Sequence, residues 1–143
     1  LVLDRAMVMG LSDAGAHASQ LCDACQATYF LGRWVREKKA LSLEEAVRML
    51  TSRPAEIFGI KDRGRLVEGW PADIVLFDPE RVAAGPLKRI HDLPGGADRL
   101  VSYAEGIEAV IVNGQLLRRK GADMLDCTGP LPGKLLRGGR AAH

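Results

Sequence analysis

The chain has little of what a membrane protein, a disulfide-stapled secreted protein or a nucleic-acid-binding protein needs. None of its apolar runs approaches the about 20 residues that span a bilayer, so no membrane contact is predicted. Three cysteines are too few, and odd in number, for a disulfide framework, which fits a reducing compartment. The net charge is only +2 and the basic clusters at 118–120 and 137–140 are short, so no nucleic-acid partner is predicted. A cytoplasmic location is expected.

Several sequence signals are also missing. The first ten residues do not have the basic-then-apolar layout of a secretory signal. They also lack an initiator methionine, which suggests that residues upstream are missing. No internal repeat, phosphate-binding glycine loop or Ser/His/Asp nucleophile motif stands out. What is present is a chain of 143 residues that is 47% apolar, enough for the core of one domain or two partial ones.

The segment 51–79 contains the predicted boundary between a helical unit and a strand unit. It predicts a helix end closed by Gly59, followed by two short strands at 64–68 and 72–78. A Gly-Trp-Pro connection at 69–71 favours a turn between the strands, because glycine accepts a positive φ and proline fixes its own φ. A helical unit and a strand unit are therefore predicted to meet here.

Helices are predicted on both sides of residue 40. Residues 19–39 carry an apolar face at helical spacing, formed by Leu21, Cys25, Thr28, Leu31, Trp34 and Val35. Ser42 and Glu45 have the spacing of a capping box, which predicts that a second helix begins there.

The second half of the chain reads as strands and loops. The Gly- and Pro-rich segment 82–104 predicts a long irregular loop. Residues 107–112, followed by Asn113 and Gly114 and a second apolar run, predict a β-hairpin with a type I′ turn. The residues at the very C-terminus are predicted to be disordered.

Cys22 and Cys25 form the only Cys-x-x-Cys pair. Such a pair can bind metal or undergo redox chemistry, but no second pair follows at zinc-finger spacing. Because both lie within a helical pattern, no chemistry is predicted for them.

Asp13 is the strongest candidate for a catalytic residue. An apolar run at 6–11 precedes a polar loop at 12–17, the layout of a barrel strand that delivers functional side chains at its C-terminal end. The alternative is that Asp13 caps the following helix, since aspartate accepts hydrogen bonds from the free N–H groups of a helix start. The residues alone leave both interpretations open.

The segments 41–79 and 106–114 carry a family resemblance. They resemble the C-terminal signature of the amidohydrolase superfamily, and within it the N-acyl-D-amino-acid deacylase (D-aminoacylase) branch. The resemblance implies an α/β fold, the C-terminal portion of a metal-dependent (β/α)8 barrel hydrolase. Residues 1–60 would be the last strand and helices of that barrel. Residues 61–143 would be part of a small β-sandwich, with the loop 82–104 and a C-terminal tail.

The resemblance also implies chemistry. In the family, the aspartate that matches Asp13 contacts zinc, takes a proton as hydroxide attacks the amide carbon, and passes the proton to the leaving nitrogen. His17 lies four residues after Asp13 and would share a face with it if this loop turns helical, which would allow a contact with metal or substrate. The matching deacylases more often carry glycine soon after the aspartate. In the loop, Arg99 or His91 would meet the carboxylate of an acyl-amino-acid substrate.

The family's other zinc ligands are not found in this sequence. Its three histidines have no ligand spacing, and zinc needs three or four protein ligands. We therefore expect this chain alone to bind no catalytic zinc and to hydrolyse nothing. We also expect a homo-oligomer or strand exchange, because unpaired strand edges invite pairing.

Three functions are considered. The favoured one is hydrolysis of the amide bond of small N-acyl-D-amino acids. The second is hydrolysis of a cyclic amide, as in hydantoinases and dihydroorotases. The third is a non-catalytic packing or oligomerisation module.

Overall fold

Helices occupy the first part of the chain and strands the second. The computed structural model describes residues 4, 8–10, 12–126 and 128–141. The helices are α1 (Gln26–Tyr29), a π-helix (Phe30–Glu37), α2 (Leu43–Leu50), α3 (Ser52–Ile57) and a short 3₁₀ turn (Pro94–Gly96). The strands are β1 (Ile74–Phe77), β2 (Ala83–Ala84), β3 (Lys88–Ile90), β4 (Arg99–Val101), β5 (Ala104–Glu105), β6 (Ile107–Val112), β7 (Gln115–Arg119), β8 (Ala122–Asp123), β9 (Leu136–Arg137) and β10 (Arg140–Ala141).

The predicted helix 19–39 is wrong at its start and in its type. Helical structure begins at Gln26, and most of it is a π-helix. Because a π-helix closes i→i+5 hydrogen bonds, its side chains do not follow the spacing of an α-helix. Phe30 and Leu31 are therefore buried side by side, while Trp34, predicted for the buried face, is 38% exposed.

The second predicted helix begins where the capping residues indicate. The Ser42 hydroxyl accepts a hydrogen bond from the Glu45 backbone N–H at 3.2 Å, at the start of α2. A short further helix, α3, follows it. Gly59 comes just after α3 with a φ of +67°, the conformation that suits a residue following a helix.

The main sheet has four antiparallel strands in the order β1-β6-β7-β8. The predicted hairpin at 107–118 is confirmed as β6 and β7. Asn113 and Gly114 both have positive φ, +46° and +79°, as a type I′ turn requires.

The predicted strand at 64–68 is wrong, because this segment forms bends and turns. Gly64 has a φ of +85°, and its backbone lies so close to Thr51 that a Cβ atom would come within 2.9 Å of the Thr51 carbonyl oxygen. A positive φ interrupts an extended chain. The following strand, predicted at 72–78, is confirmed in its centre as β1.

The segment 82–104 is more regular than the sequence indicates. It folds back on itself, with β3 paired to β4 and, nearer its base, β2 paired to β5. The glycines of the 3₁₀ turn at its tip have positive φ, which lets the chain reverse. We call residues 83–105 the β2–β5 hairpin.

The core joins the helical and strand parts. Its buried side chains are Phe30, Leu31, Ala46, Met49 and Val82, with Phe77 and Ile107 packed against them. Packing therefore crosses residue 60, and the division into 1–60 and 61–143 stays a prediction. Large apolar side chains such as those of Phe58 and Leu66 are 76% and 78% exposed. The predicted oligomer likewise stays a prediction.

Arg63 connects three segments that are distant in sequence. Its guanidinium donates to Asp73 (2.8 Å), Asp62 (2.7 Å) and the side-chain oxygen of Asn113 (3.2 Å). Asp73 also accepts from the Asn113 backbone N–H at 2.7 Å. The Arg63 side chain is 14% exposed and that of Asp73 32%, so these charge-assisted bonds are partly shielded from water.

Arg63→Ala is expected to lower the free energy of unfolding by about 2–4 kcal/mol, because it leaves partly buried carboxylates without their partner. The matched control is Arg65→Ala, which removes an exposed ion pair with Glu56 and is expected to cost about 0–1 kcal/mol. Urea unfolding of both variants measures the difference. Equal losses would contradict the role given to Arg63.

Candidate functional site

Asp13 is exposed and opens a run of turns at 14–20. The turn is held locally: the Asp13 carbonyl accepts from the Ala16 backbone N–H at 2.9 Å, and the Ser12 hydroxyl accepts from the Ala14 N–H at 3.3 Å. The helix-cap interpretation is wrong, because the first helix begins at Gln26 with Cys25 in the capping position. Residues 8–10 are not in a strand, and the rest of the predicted strand 6–11 lies outside the described residues.

His17 lies on the same turn as Asp13 and is exposed. Its φ is +50°, and its carbonyl accepts hydrogen bonds from the N–H groups of Gln20 (2.7 Å) and Leu21 (3.0 Å). A positive φ is uncommon for residues other than glycine and occurs mainly in turns. His17 and Asp13 are therefore neighbours on a turn and not on one face of a helix.

The turn contacts the strand that carries Arg99. The Leu100 backbone N–H, in β4, donates to the Ala18 carbonyl at 2.9 Å. This bond brings together two segments that are far apart in sequence. The segments that carry Asp13, His17 and Arg99, the three candidates from the sequence, are thereby neighbours in the fold.

Arg99 already binds a carboxylate. Its Nε and Nη2 atoms donate to the two oxygens of Asp92, at 2.8 and 2.7 Å. This bidentate geometry is the one by which arginine recognises carboxylates. The guanidinium lowers the pKa of Asp92, so the pair persists above that lowered pKa and is lost as the pH falls through it. His91, on the same hairpin, has its Nδ1 atom 3.3 Å from the Gly96 carbonyl oxygen.

An open groove lies beside the turn that carries Asp13 and His17. Its volume is about 630 Å³, and it runs between Met9 and Ser12, the segment 22–34, which is helical from Gln26 onward, and the β2–β5 hairpin. Its lining includes Ser12, next to Asp13, and the apolar side chains of Tyr29 and Trp34. The Gln26 amide closes one side by donating to the Gly10 carbonyl at 2.8 Å. The sequence did not reveal this groove, because its walls come from three separate segments.

The residues present do not by themselves fit a zinc ion. Within 4, 8–10, 12–126 and 128–141, no three His, Cys, Asp or Glu side chains converge on one point. Asp13 would supply one ligand, and zinc in proteins is held by three or four. His143 and Cys127 lie outside the described residues. In the same part of the chain, no helix has the length and apolar character to cross a bilayer.

The family model for the amidohydrolase family matches residues 3–118, which include Asp13, His17 and Arg99. This chain belongs to the amidohydrolase family. Over 87 residues it is 45% identical to an N-acyl-D-glutamate deacylase of Alcaligenes xylosoxydans xylosoxydans, an alignment that covers 61% of the chain. An N-acyl-D-aspartate deacylase of the same organism is 35% identical over 117 residues, 80% of the chain.

Solved amidohydrolase structures resemble the chain in three dimensions. A D-aminoacylase has a TM-score of 0.53 at 29% identity and matches 68% of the chain. An N-acyl-D-glutamate deacylase from Bordetella bronchiseptica, solved with zinc and a phosphonate inhibitor, has a TM-score of 0.50 at 40% identity and matches 67%. The predicted D-aminoacylase branch is therefore confirmed. Barrel and sandwich portions are not separately identified by these matches.

The chain spans a small part of these relatives. It covers 16% of the N-acyl-D-glutamate deacylase, 20% of the N-acyl-D-aspartate deacylase and 19% of each of the two structures. Dihydroorotases also match, for example that of Lactobacillus johnsonii at 46% identity, but over only 48 residues. The alignments with these two deacylases, over 87 and 117 residues, are thus longer than the alignment with this dihydroorotase.

Proposed function

We propose that this chain is the C-terminal part of a deacylase that hydrolyses the amide bond of N-acyl-D-amino acids. The observation that carries the proposal is the 45% identity over 87 residues to an N-acyl-D-glutamate deacylase. In this assignment residues 1–60 supply the last strand and helices of a (β/α)8 barrel. Residues 61–143 supply part of a small β-sandwich. Among the described residues, the longer helices lie within 26–57 and the strands within 74–141, which supports a boundary near residue 60.

Asp13 is the proposed catalytic residue. Its carboxylate accepts a proton from the water that attacks the amide carbon, and it returns that proton to the leaving nitrogen as the C–N bond breaks. The products are a carboxylic acid and a D-amino acid. The exposed position of Asp13, in the segment next to Arg99, supports access to a substrate.

Zinc is proposed as the cofactor of the whole enzyme, where it would polarise the amide carbonyl. Asp13 would be one of its ligands, and the others would come from outside the described residues, which contain no three-ligand cluster. The chain alone is expected to bind no stoichiometric zinc and to show no deacylase activity. Elemental analysis of the purified chain, with and without added zinc, tests this expectation.

Arg99 and His17 are proposed as substrate-binding residues. The bidentate pair with Asp92 supports this role for Arg99, because it demonstrates a guanidinium accessible to a carboxylate. The relatives act on N-acyl-D-glutamate and N-acyl-D-aspartate, so the proposed substrate class is small acyl derivatives of acidic D-amino acids.

Arg99→Ala is expected to raise KM about tenfold or more with a smaller change in kcat, because one charge-assisted contact with substrate is worth about 1.5–3 kcal/mol. Asp92→Asn is expected to lower KM, because it removes the carboxylate that competes for the same guanidinium. The matched control is Arg89→Ala, which breaks the neighbouring ion pair with Asp98 on the same hairpin. An unchanged KM in the Arg99→Ala variant would contradict a role for Arg99 in substrate binding.

The function itself is tested on the complete encoded polypeptide. We expect release of D-glutamate from N-acetyl-D-glutamate, with little release from the L-enantiomer. Turnover of dihydroorotate or hydantoin in its place would favour the cyclic-amide alternative, which the short dihydroorotase matches support. If an Asp13→Asn variant keeps its full turnover, that result would favour the packing or oligomerisation module.

A further inference from the structure

Cys22 and Cys25 share one environment. Both are free thiols of intermediate burial, and both line the open groove beside the Asp13 turn. The groove is within the volume range of small-molecule pockets, so a small reagent has access to both side chains. Neither residue has a part in the proposed hydrolysis.

The Cys25 side chain folds back onto Cys22. Its Sγ atom lies 3.6 Å from the Cys22 backbone carbonyl oxygen, to which the thiol donates. The chain between them is short and bends into a turn at 24–25. A disulfide requires two neighbouring backbones with side chains that turn toward each other, and the contact between the Cys25 sulfur and the Cys22 carbonyl brings one of the two side chains to its partner residue.

We propose that Cys22 and Cys25 form a dithiol that low-molecular-weight disulfides such as oxidised glutathione convert to an intrachain disulfide. The Cys22 thiolate attacks one sulfur of the reagent, whose S–S bond breaks and releases one glutathione thiolate. The Cys25 thiolate then attacks the Cys22 sulfur and releases the second glutathione. The two cysteines lose two electrons and two protons, and the reagent gains them as two thiols.

The test uses the full chain with its third cysteine removed by Cys127→Ser. After incubation in glutathione buffers of increasing oxidised fraction, free thiols are counted and peptides are mapped by mass spectrometry. We expect the loss of two thiols per chain, a 22–25 crosslink and no retained glutathione. The matched controls are Cys22→Ser and Cys25→Ser in the same background, each expected to retain one glutathione per chain.

Three outcomes would overturn the proposal. They are glutathione stably attached to both cysteines, disulfides between chains, or unchanged thiols in buffers where the single-cysteine controls react. The same mapping on the unmutated chain checks the substitutions, because a 22–25 crosslink must form there also. A crosslink to Cys127 in its place would count against the pair.

Discussion

Asp13→Asn is expected to lower kcat of the complete polypeptide toward N-acetyl-D-glutamate by about 10²–10⁴-fold, because an amide cannot carry the proton from water to the leaving nitrogen. KM is expected to change little, since the substitution keeps the size of the side chain. Steady-state kinetics measure both constants. The expected signature is a fall in kcat that matches the fall in kcat/KM.

The matched control is Asp123→Asn. Asp123 lies at the edge of the sheet in β8, where its exposed side chain pairs with Arg118 at 3.3 Å. The substitution makes the same chemical change outside the Asp13 turn, in β8, and is expected to leave kcat unaltered. Equal kcat values for the Asp13→Asn and Asp123→Asn variants would contradict the assignment of Asp13 as the proton carrier.

Gly106→Ala is expected to lower the free energy of unfolding by about 2–5 kcal/mol. Gly106 has a φ of +70°, and a Cβ atom there would lie 2.5 Å from the Val82 backbone nitrogen. Val82 is 1% exposed, so the contact cannot be relieved at the surface. Two costs therefore add: the strained φ and the collision with buried backbone. Thermal or urea unfolding measures the loss.

Gly114→Ala separates the two costs. Gly114 has a similar φ of +79°, but a Cβ atom there would meet nothing within 4 Å. This control is expected to lose only the about 1–2 kcal/mol of a left-handed residue that is not glycine. The difference between the two variants measures the collision with Val82. Equal losses would mean that the backbone at residue 82 moves aside freely.

The features predicted well from sequence are those whose cause lies within a few residues. The Ser42 cap and the Asn113-Gly114 turn are examples, because each is set by the side chain or φ preference of the residues that form it. Family membership was likewise readable, since the segments 41–79 and 106–114 carry an ordered pattern. The predicted strand at 64–68 was wrong because Gly64 takes a positive φ where its backbone meets Thr51, a contact that the local pattern does not indicate.

The arrangement of the candidate site came only from the structure. Asp13 and Arg99 were each chosen from the sequence, but no local pattern indicates that the Leu100 N–H reaches the Ala18 carbonyl, or that Asp92 holds Arg99. The same is true of the groove beside Cys22 and Cys25. Contacts of this kind depend on how distant segments pack into one core, and each segment's own sequence leaves that packing open.

The amino-acid sequence alone thus determined the Ser42 cap, the Asn113-Gly114 turn, the family and the identity of the candidate residues, because those follow from short-range backbone preferences and from ordered motifs. Tertiary structure decided which candidates are neighbours, where the groove opens and why Gly106 and Arg63 matter. The physical reason is that steric contact, ion pairing and shielding from water act between residues that only folding brings together.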